Sequence, residues 1–199
     1  MIKRTILKDV KNHLSKKEMA LITGPRQAGK TTIMLAVKDE LDKKGEKTIF
    51  LNLDIERDRY FFESQAALVK KIELEVGKKR AFIFIDEIQR KENAALFLKG
   101  IYDMNLPYKF IISGSGSMEL KEKIHESLTG RKRIFELETL SFVEFLNFKT
   151  NYSYENKLDD FFKIEKNKSN ELLGEFMFFG GYPAAVKAET KDEKLNVLN

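Results

Sequence analysis

The sequence predicts an α/β fold, a five-stranded parallel sheet with helices on both faces and a small helical lid, and three observations carry it. Short apolar runs recur at Met19-Ala20-Leu21-Ile22-Thr23 and Ala81-Phe82-Ile83-Phe84-Ile85, and Tyr108-Lys109-Phe110-Ile111-Ile112 reads as a further strand. Strands covered on both faces read this way, because neither side of the pleat meets water. Segments with helical spacing of apolar residues separate the runs, the alternation expected of a parallel sheet. The first run leads directly into Gly24-Pro25-Arg26-Gln27-Ala28-Gly29-Lys30-Thr31, which fits the G-x-x-x-x-G-K-[ST] pattern between a strand and a helix.

Length and charge bound what can be built on this sheet. The 199 residues suffice for one α/β domain with a substantial core and a small appended element. Cysteine is absent, which excludes disulfides and thiolate metal sites. No leading apolar segment resembles a signal peptide or could span a membrane, so a cytoplasmic protein without a membrane partner is expected. The 36 Lys and Arg exceed the 31 Asp and Glu, a net charge of +5 that leans weakly toward nucleic acid, without a recognition motif to accompany it.

In chain order, Met1 to His13 reads as an amphipathic helix with Ile6, Leu7, Val10 and Leu14 on one side. After the glycine loop, Thr32 to Leu41 has helical spacing and stops at Gly45, and Lys47 to Asp54 reads as the second strand. Asn52 and Asp54 would emerge at the carboxyl edge of the sheet, where Asp54 and Glu56 are read as the start of a loop. Tyr60 to Val76 is a helix closed by Gly77, and Lys91 to Asn105 is another, stopped by Asn105 and Pro107. Met118 to Leu128 is read as helical and Ile134 to Leu137 as the fifth strand. Ser141-Phe142-Val143-Glu144 is a capping box that opens a short helix. A linker over Asn147 to Asn156 and one or two helices over Leu158 to Phe179 follow, ended by Gly180-Gly181-Tyr182-Pro183. The division expected is a nucleotide-binding domain over 1–146 and a helical lid over 147–199, truncated because Asp192 to Asn199 has no stop signal.

The chemistry implied is phosphate binding. Gly24 and Gly29 permit positive φ, which turns consecutive N–H groups inward around an anion. Lys30 neutralises the outer phosphates and Thr31 offers a hydroxyl to Mg²⁺, while Thr32 continues the helix whose positive end faces the same anion. The third strand delivers Asp86 and Glu87 to the carboxyl edge, a Walker B pattern. Asp86 is assigned to the metal and Glu87 to polarising a water for attack on the γ-phosphate. If the strand at 108–112 inserts between the other two, Ser113 or Ser115 comes beside the γ-phosphate as a sensor. His13 and His125 stand alone in helical patterns and are read as surface residues.

Taken together, Gly24 to Thr31, Asp86-Glu87-Ile88-Gln89, Ser113-Gly114-Ser115, Leu128-Thr129-Gly130-Arg131, Leu140 to Phe145 and Gly180 to Pro183 resemble a prokaryotic AAA-type ATPase family within the AAA+ class. The resemblance implies strand order 5-1-4-3-2, an ATPase using ATP and Mg²⁺, and a further carboxy-terminal domain that usually follows in that family. It carries Lys30, Thr31, Asp86, Glu87, Ser113 and Arg131 to their usual roles. For Arg131 two readings stay open: a surface arginine, or a finger reaching the nucleotide of a neighbouring subunit in a homo-oligomer. A GTPase is the rival enzyme, because Asn156-Lys157-Leu158-Asp159 fits N-K-x-D, but the motif does not follow a buried strand. A nucleotide-gated module that docks DNA or protein with little turnover is the rival without catalysis.

Overall fold

The computed structural model describes residues 1–115 and 127–198. Their packing separates two compact units, Ile6–Leu137 and a second formed by Met1–Thr5 with Glu138–Asn199.

The first unit is built on β1 (Met19–Gly24), β2 (Thr48–Asn52), β3 (Ala81–Asp86), β4 (Tyr108–Ser115) and β5 (Lys132–Glu136). All pairings are parallel and the order is β2-β3-β4-β1-β5, which read from the far edge is the expected 5-1-4-3-2 of a P-loop fold. The helices are α1 (Ile6–Asn12), α2 (Lys30–Lys43), α3 (Glu56–Arg59), α4 (Gln65–Val76) and α5 (Ala94–Asp103). Strand alternation explains the apolar runs. Leu21, Ile83, Ile85 and Ile112 pack with α4 and α5 residues such as Leu68, Ile72 and Leu98. Ala20, Ile22, Phe82, Phe84 and Ile111 pack on the other side with Val10 of α1 and Ile33, Met34 and Val37 of α2.

Helix boundaries differ from expectation where caps decide them. The helix expected from Tyr60 starts at Gln65, because Ser64 accepts from the Ala67 N–H at 3.1 Å and so caps α4. The Tyr60–Phe62 turn before it is 3₁₀, and α3 occupies what was read as loop. Similarly, α5 begins only at Ala94, after Asn93 with φ of 52°. The helix expected over Met118 to Leu128 lies, except for its last two residues, outside the described residues.

The amino-terminal helix is shorter than expected, because residues 1–5 lie outside it and belong to the second unit. There the Glu144 carboxylate accepts from Thr5 N and Thr5 Oγ1, both at 2.8 Å, and from Arg4 Nε at 3.0 Å, while Ile2 is buried with Leu140, Phe145 and Val186. Helices α6 (Phe142–Lys149), α7 (Leu158–Ile164), α8 (Lys166–Phe179), α9 (Pro183–Lys187) and α10 (Lys191–Leu198) complete this unit. The capping box at Ser141 forms as read, with Glu144 N donating to Ser141 Oγ at 3.2 Å and Ser141 N donating to Glu144 Oε2 at 3.1 Å. Because Leu140 and Phe145 pack here, α6 groups with the helices after it rather than with the sheet.

His13, read as a surface residue, is 4% exposed. Lys109, the second residue of β4 and 5% exposed, holds it there: the Lys109 ammonium donates to Lys16 O at 3.0 Å and to Glu18 O, and lies 3.1 Å from His13 Nδ1. An ammonium only donates, so Nδ1 accepts and the imidazole is neutral. His125 lies outside the described residues. Burial, then Lys109, Arg133 and Lys16, lower the His13 pKa to about 4, with Glu18 opposing. Between that value and the ordinary 6.5 the unfolded chain binds a proton that the folded chain does not, so stability falls as pH falls through this window. At 1.36 kcal/mol per pH unit the loss attributable to His13 is roughly 3 kcal/mol. Urea unfolding of the wild type and His13→Gln at several pH values checks this, with the variant expected to be flatter between pH 4 and 6.5.

Candidate functional site

The loop after β1 is shaped by residues that tolerate a left-handed backbone. Gln27 and Gly29 have φ of 62° and 100°, and Gly29 precedes α2 without any side chain capping the helix. The first N–H groups of α2 therefore face the loop with their dipole and without a side-chain acceptor. Gly24 is required by close approach: a Cβ there would lie 2.0 Å from Leu137 O, just beyond β5.

Lys30 is buried, and its ammonium donates to Gly24 O at 3.0 Å and Pro25 O at 2.8 Å. Burial lowers its pKa from the usual lysine value, while Glu87 and Asp86 pull it back up. Thr31 Oγ1 donates to Asp86 Oδ2 at 2.7 Å, which ties the start of α2 to the end of β3. Asp86 is fully buried. Its other oxygen accepts from Ser113 Oγ and, at 3.2 Å, from Glu87 N.

The register brings Ser113 there, because β4 lies between β1 and β3 with Ser113 paired to Ile22. Ser113 is itself fully buried and also accepts from Glu87 N at 3.2 Å, so its contacts are with the acidic pair. Glu87 adopts φ of 59°, an uncommon conformation for a residue other than glycine, and the two hydrogen bonds from its N–H hold it.

Arg26, Gln27, Gly29, Lys30, Thr31, Thr32 and Glu87 border one cavity of about 480 Å³. Pro25 and the buried Ala28 shape the loop from behind. Two further residues border the cavity. Asp54 and Arg90 form an ion pair at 2.6 Å, Oδ1 to Nε, so the turn that follows β2 reaches the site. Gln89 was also missed: its Nε2 donates to Glu87 Oε2 and its Oε1 accepts from Ser115 N at 3.0 Å. Asp54 had a signal in its position at a strand end, whereas Arg90 and Gln89 sit in a 3₁₀ turn whose direction no periodicity reveals.

Arg131 stands apart. Its Nε donates to Asp103 Oδ1 at 2.9 Å, and its carbonyl accepts from Met19 N, the first residue of β1. That is the opposite edge of the sheet from the loop, about 17–20 Å away for a strand of this length, so Arg131 does not join the site of its own chain. Among the described residues, no His, Asp and Glu group forms a separate metal cluster and no helix is long and apolar enough to cross a membrane.

A glycine loop between β1 and α2, a hydroxyl joined to the carboxylate ending β3, and the order β2-β3-β4-β1-β5 define a nucleotide-binding P-loop protein of the AAA type. The chain belongs to the AAA domain family, whose model matches residues 16–146. An uncharacterised protein of Methanocaldococcus jannaschii is 29% identical over 98% of this chain and 42% of its own length. One from Haemophilus influenzae is 25% identical over 85% of this chain and 40% of its own. The chain thus spans less than half the length of these curated relatives. The solved structure of the Aeropyrum pernix Orc1 protein in complex with DNA matches 75% of this chain and 48% of its own with a TM-score of 0.51 and 15% identity, a likeness of fold.

Proposed function

We propose that this chain binds ATP with Mg²⁺ in the loop cavity and hydrolyses it to ADP and phosphate, coupling the cycle to a conformational or remodelling task. The observation that supports this most is the 2.7 Å bond from Thr31, which borders the cavity with Lys30 and Glu87, to the buried Asp86. The Thr31 hydroxyl and Asp86 carboxylate are adjacent hard oxygen donors, and the hydrogen bonds to Asp86 come from hydroxyls and an amide, a setting that suits a small dication. Bound with ATP, Mg²⁺ neutralises charge on the β- and γ-phosphates.

The remaining steps belong to the chain's own groups. Loop N–H groups and the uncapped start of α2 bind the phosphate oxygens, and the Lys30 ammonium adds a positive charge against the outer phosphates. Glu87 orients a water and takes its proton as the water oxygen attacks the γ-phosphorus and the bond from that phosphorus to the bridging oxygen breaks, releasing ADP. Ser113 acts through Asp86 and the Glu87 N–H, holding both acids in place. The bond from Gln89 to Glu87 favours a second reading, in which the carboxylate is held back and the chain is a nucleotide-gated module with little turnover.

Adenine is preferred over guanine. Asn156-Lys157-Leu158-Asp159 lies in the helical second unit, with Lys157 at the N-cap position of α7 and Asp159 in its first turn, and not at the tip of a strand. Titration with Mg·ATP and Mg·GTP is expected to give tighter ATP binding. Equal or tighter GTP binding overturns the choice.

A further inference from the structure

We infer that the amino-terminal edge of the sheet, opposite the phosphate loop, is a docking surface for the phosphate backbone of a nucleic acid. Every strand runs the same way, so all five entry segments meet at this one edge. They carry Lys16 and Lys17 ahead of β1, Lys78, Lys79 and Arg80 ahead of β3, and Arg133 near the start of β5. Neighbouring strands lie about 4.8 Å apart, so β3 to β5 across β4 and β1 places these groups along a row of about 14 Å.

The row gathers cations without carboxylate partners at one edge of the sheet. On α2 and α4, by contrast, four lysines are matched by carboxylates one turn away: Lys38 with Asp42, Lys43 with Asp39, Lys44 with Glu40 and Lys71 with Glu75. At the edge, Lys16, Lys17, Lys79, Arg80 and Arg133 are exposed and have no carboxylate partner among the described residues. Three are held over rings that leave the charge intact: Lys17 at 5.6 Å from the Tyr102 centroid, Arg80 at 5.3 Å from Phe82 and Arg133 at 5.4 Å from Phe135.

Of the carboxylates nearby, Asp103 takes Arg131 and Glu73 takes Lys78 at 3.6 Å, while Glu18 lies 3.8 Å from Nε2 of the neutral His13. Lys16, Lys17 and Arg80 border a cavity of about 290 Å³ with Tyr102, Asn105 and Tyr108. The same positive field registers on buried His13, which Lys109, Arg133 and Lys16 all push toward the neutral form. A linear row of unneutralised cations fits a linear polyanion, whose duplex form carries one charge per about 1.7 Å of axis.

The test follows the anisotropy of a labelled DNA duplex across salt concentrations. Each phosphate contact contributes about 0.9 to the slope of log K against log salt, so Lys17→Ala with Arg80→Ala should make the slope shallower by about 1.8. Lys166→Ala with Lys168→Ala removes the same charge from exposed positions on α8 in the second unit and should leave the slope unchanged. Lys30→Ala should also bind DNA as the wild type does, which separates this surface from the proposed ATP site. The inference is overturned if no duplex binds at low salt, if both lysine–arginine and lysine–lysine pairs weaken binding equally, or if a polyglutamate peptide binds more tightly than DNA.

Discussion

Glu87→Gln is expected to bind Mg·ATP as tightly as the wild type and to release phosphate about 10²–10⁴-fold more slowly, the usual contribution of a positioned general base. The amide keeps the length and shape of the carboxylate. Its N–H still has Asp86 Oδ1 and Ser113 Oγ to bond at 3.2 Å, so the left-handed turn after β3 persists. Only the capacity to take the water's proton is lost. Equilibrium binding of a fluorescent ATP analogue alongside phosphate release measures both quantities. Unchanged turnover removes Glu87 from the chemistry and favours the gated module, in which the bond from Gln89 keeps the carboxylate out of use.

Gly24→Ala is expected to destabilise the first unit by about 2–6 kcal/mol, the sum of backbone strain and overpacking at about 1–3 kcal/mol each. The added Cβ would stand 2.0 Å from Leu137 O, and Leu137 N donates to Thr23 O at 2.7 Å, so the strand beyond β5 cannot retreat without breaking that bond. The backbone also sits at φ of 154°, outside the ordinary range of an L residue. A urea melt of the variant without nucleotide measures the folding term alone. A midpoint equal to the wild type would mean that Gly24 is required by the phosphate and not by the strand.

The phosphate loop and the acidic pair were legible in the sequence because each depends on short-range pattern: an apolar run, a glycine spacing, a polar residue at a strand end. The place of β4 between β1 and β3 is a long-range pairing, which only the family resemblance implied. The Gly180-Gly181 pair was legible as a motif but not as to cause. Gly180 ends α8 with φ of 70°, and a Cβ on Gly181 would lie 2.2 Å from Leu140 O, so the motif serves packing inside the second unit.

What stayed hidden depends on contacts between residues far apart in the chain. Met1 to Thr5 was read as part of the first helix, yet Arg4 and Thr5 bond to Glu144, some 140 positions on, and lie outside it. His13 reads as an isolated polar residue at a helix end until Lys109 is placed beside it. Asp54 needed Arg90 across a turn to become part of the site. Local propensity carries no information about any of these partners.

Phosphate release from ATP by the purified chain, measured with Mg²⁺, after chelation of Mg²⁺ and in Lys30→Ala, tests the central proposal most directly. The account predicts turnover in the wild type that stops in both other conditions, because the loop would lose its cation against the outer phosphates in one and the phosphates would lose theirs in the other. Turnover that persists unchanged in Lys30→Ala, or a wild type that releases no phosphate while binding ATP, would contradict it.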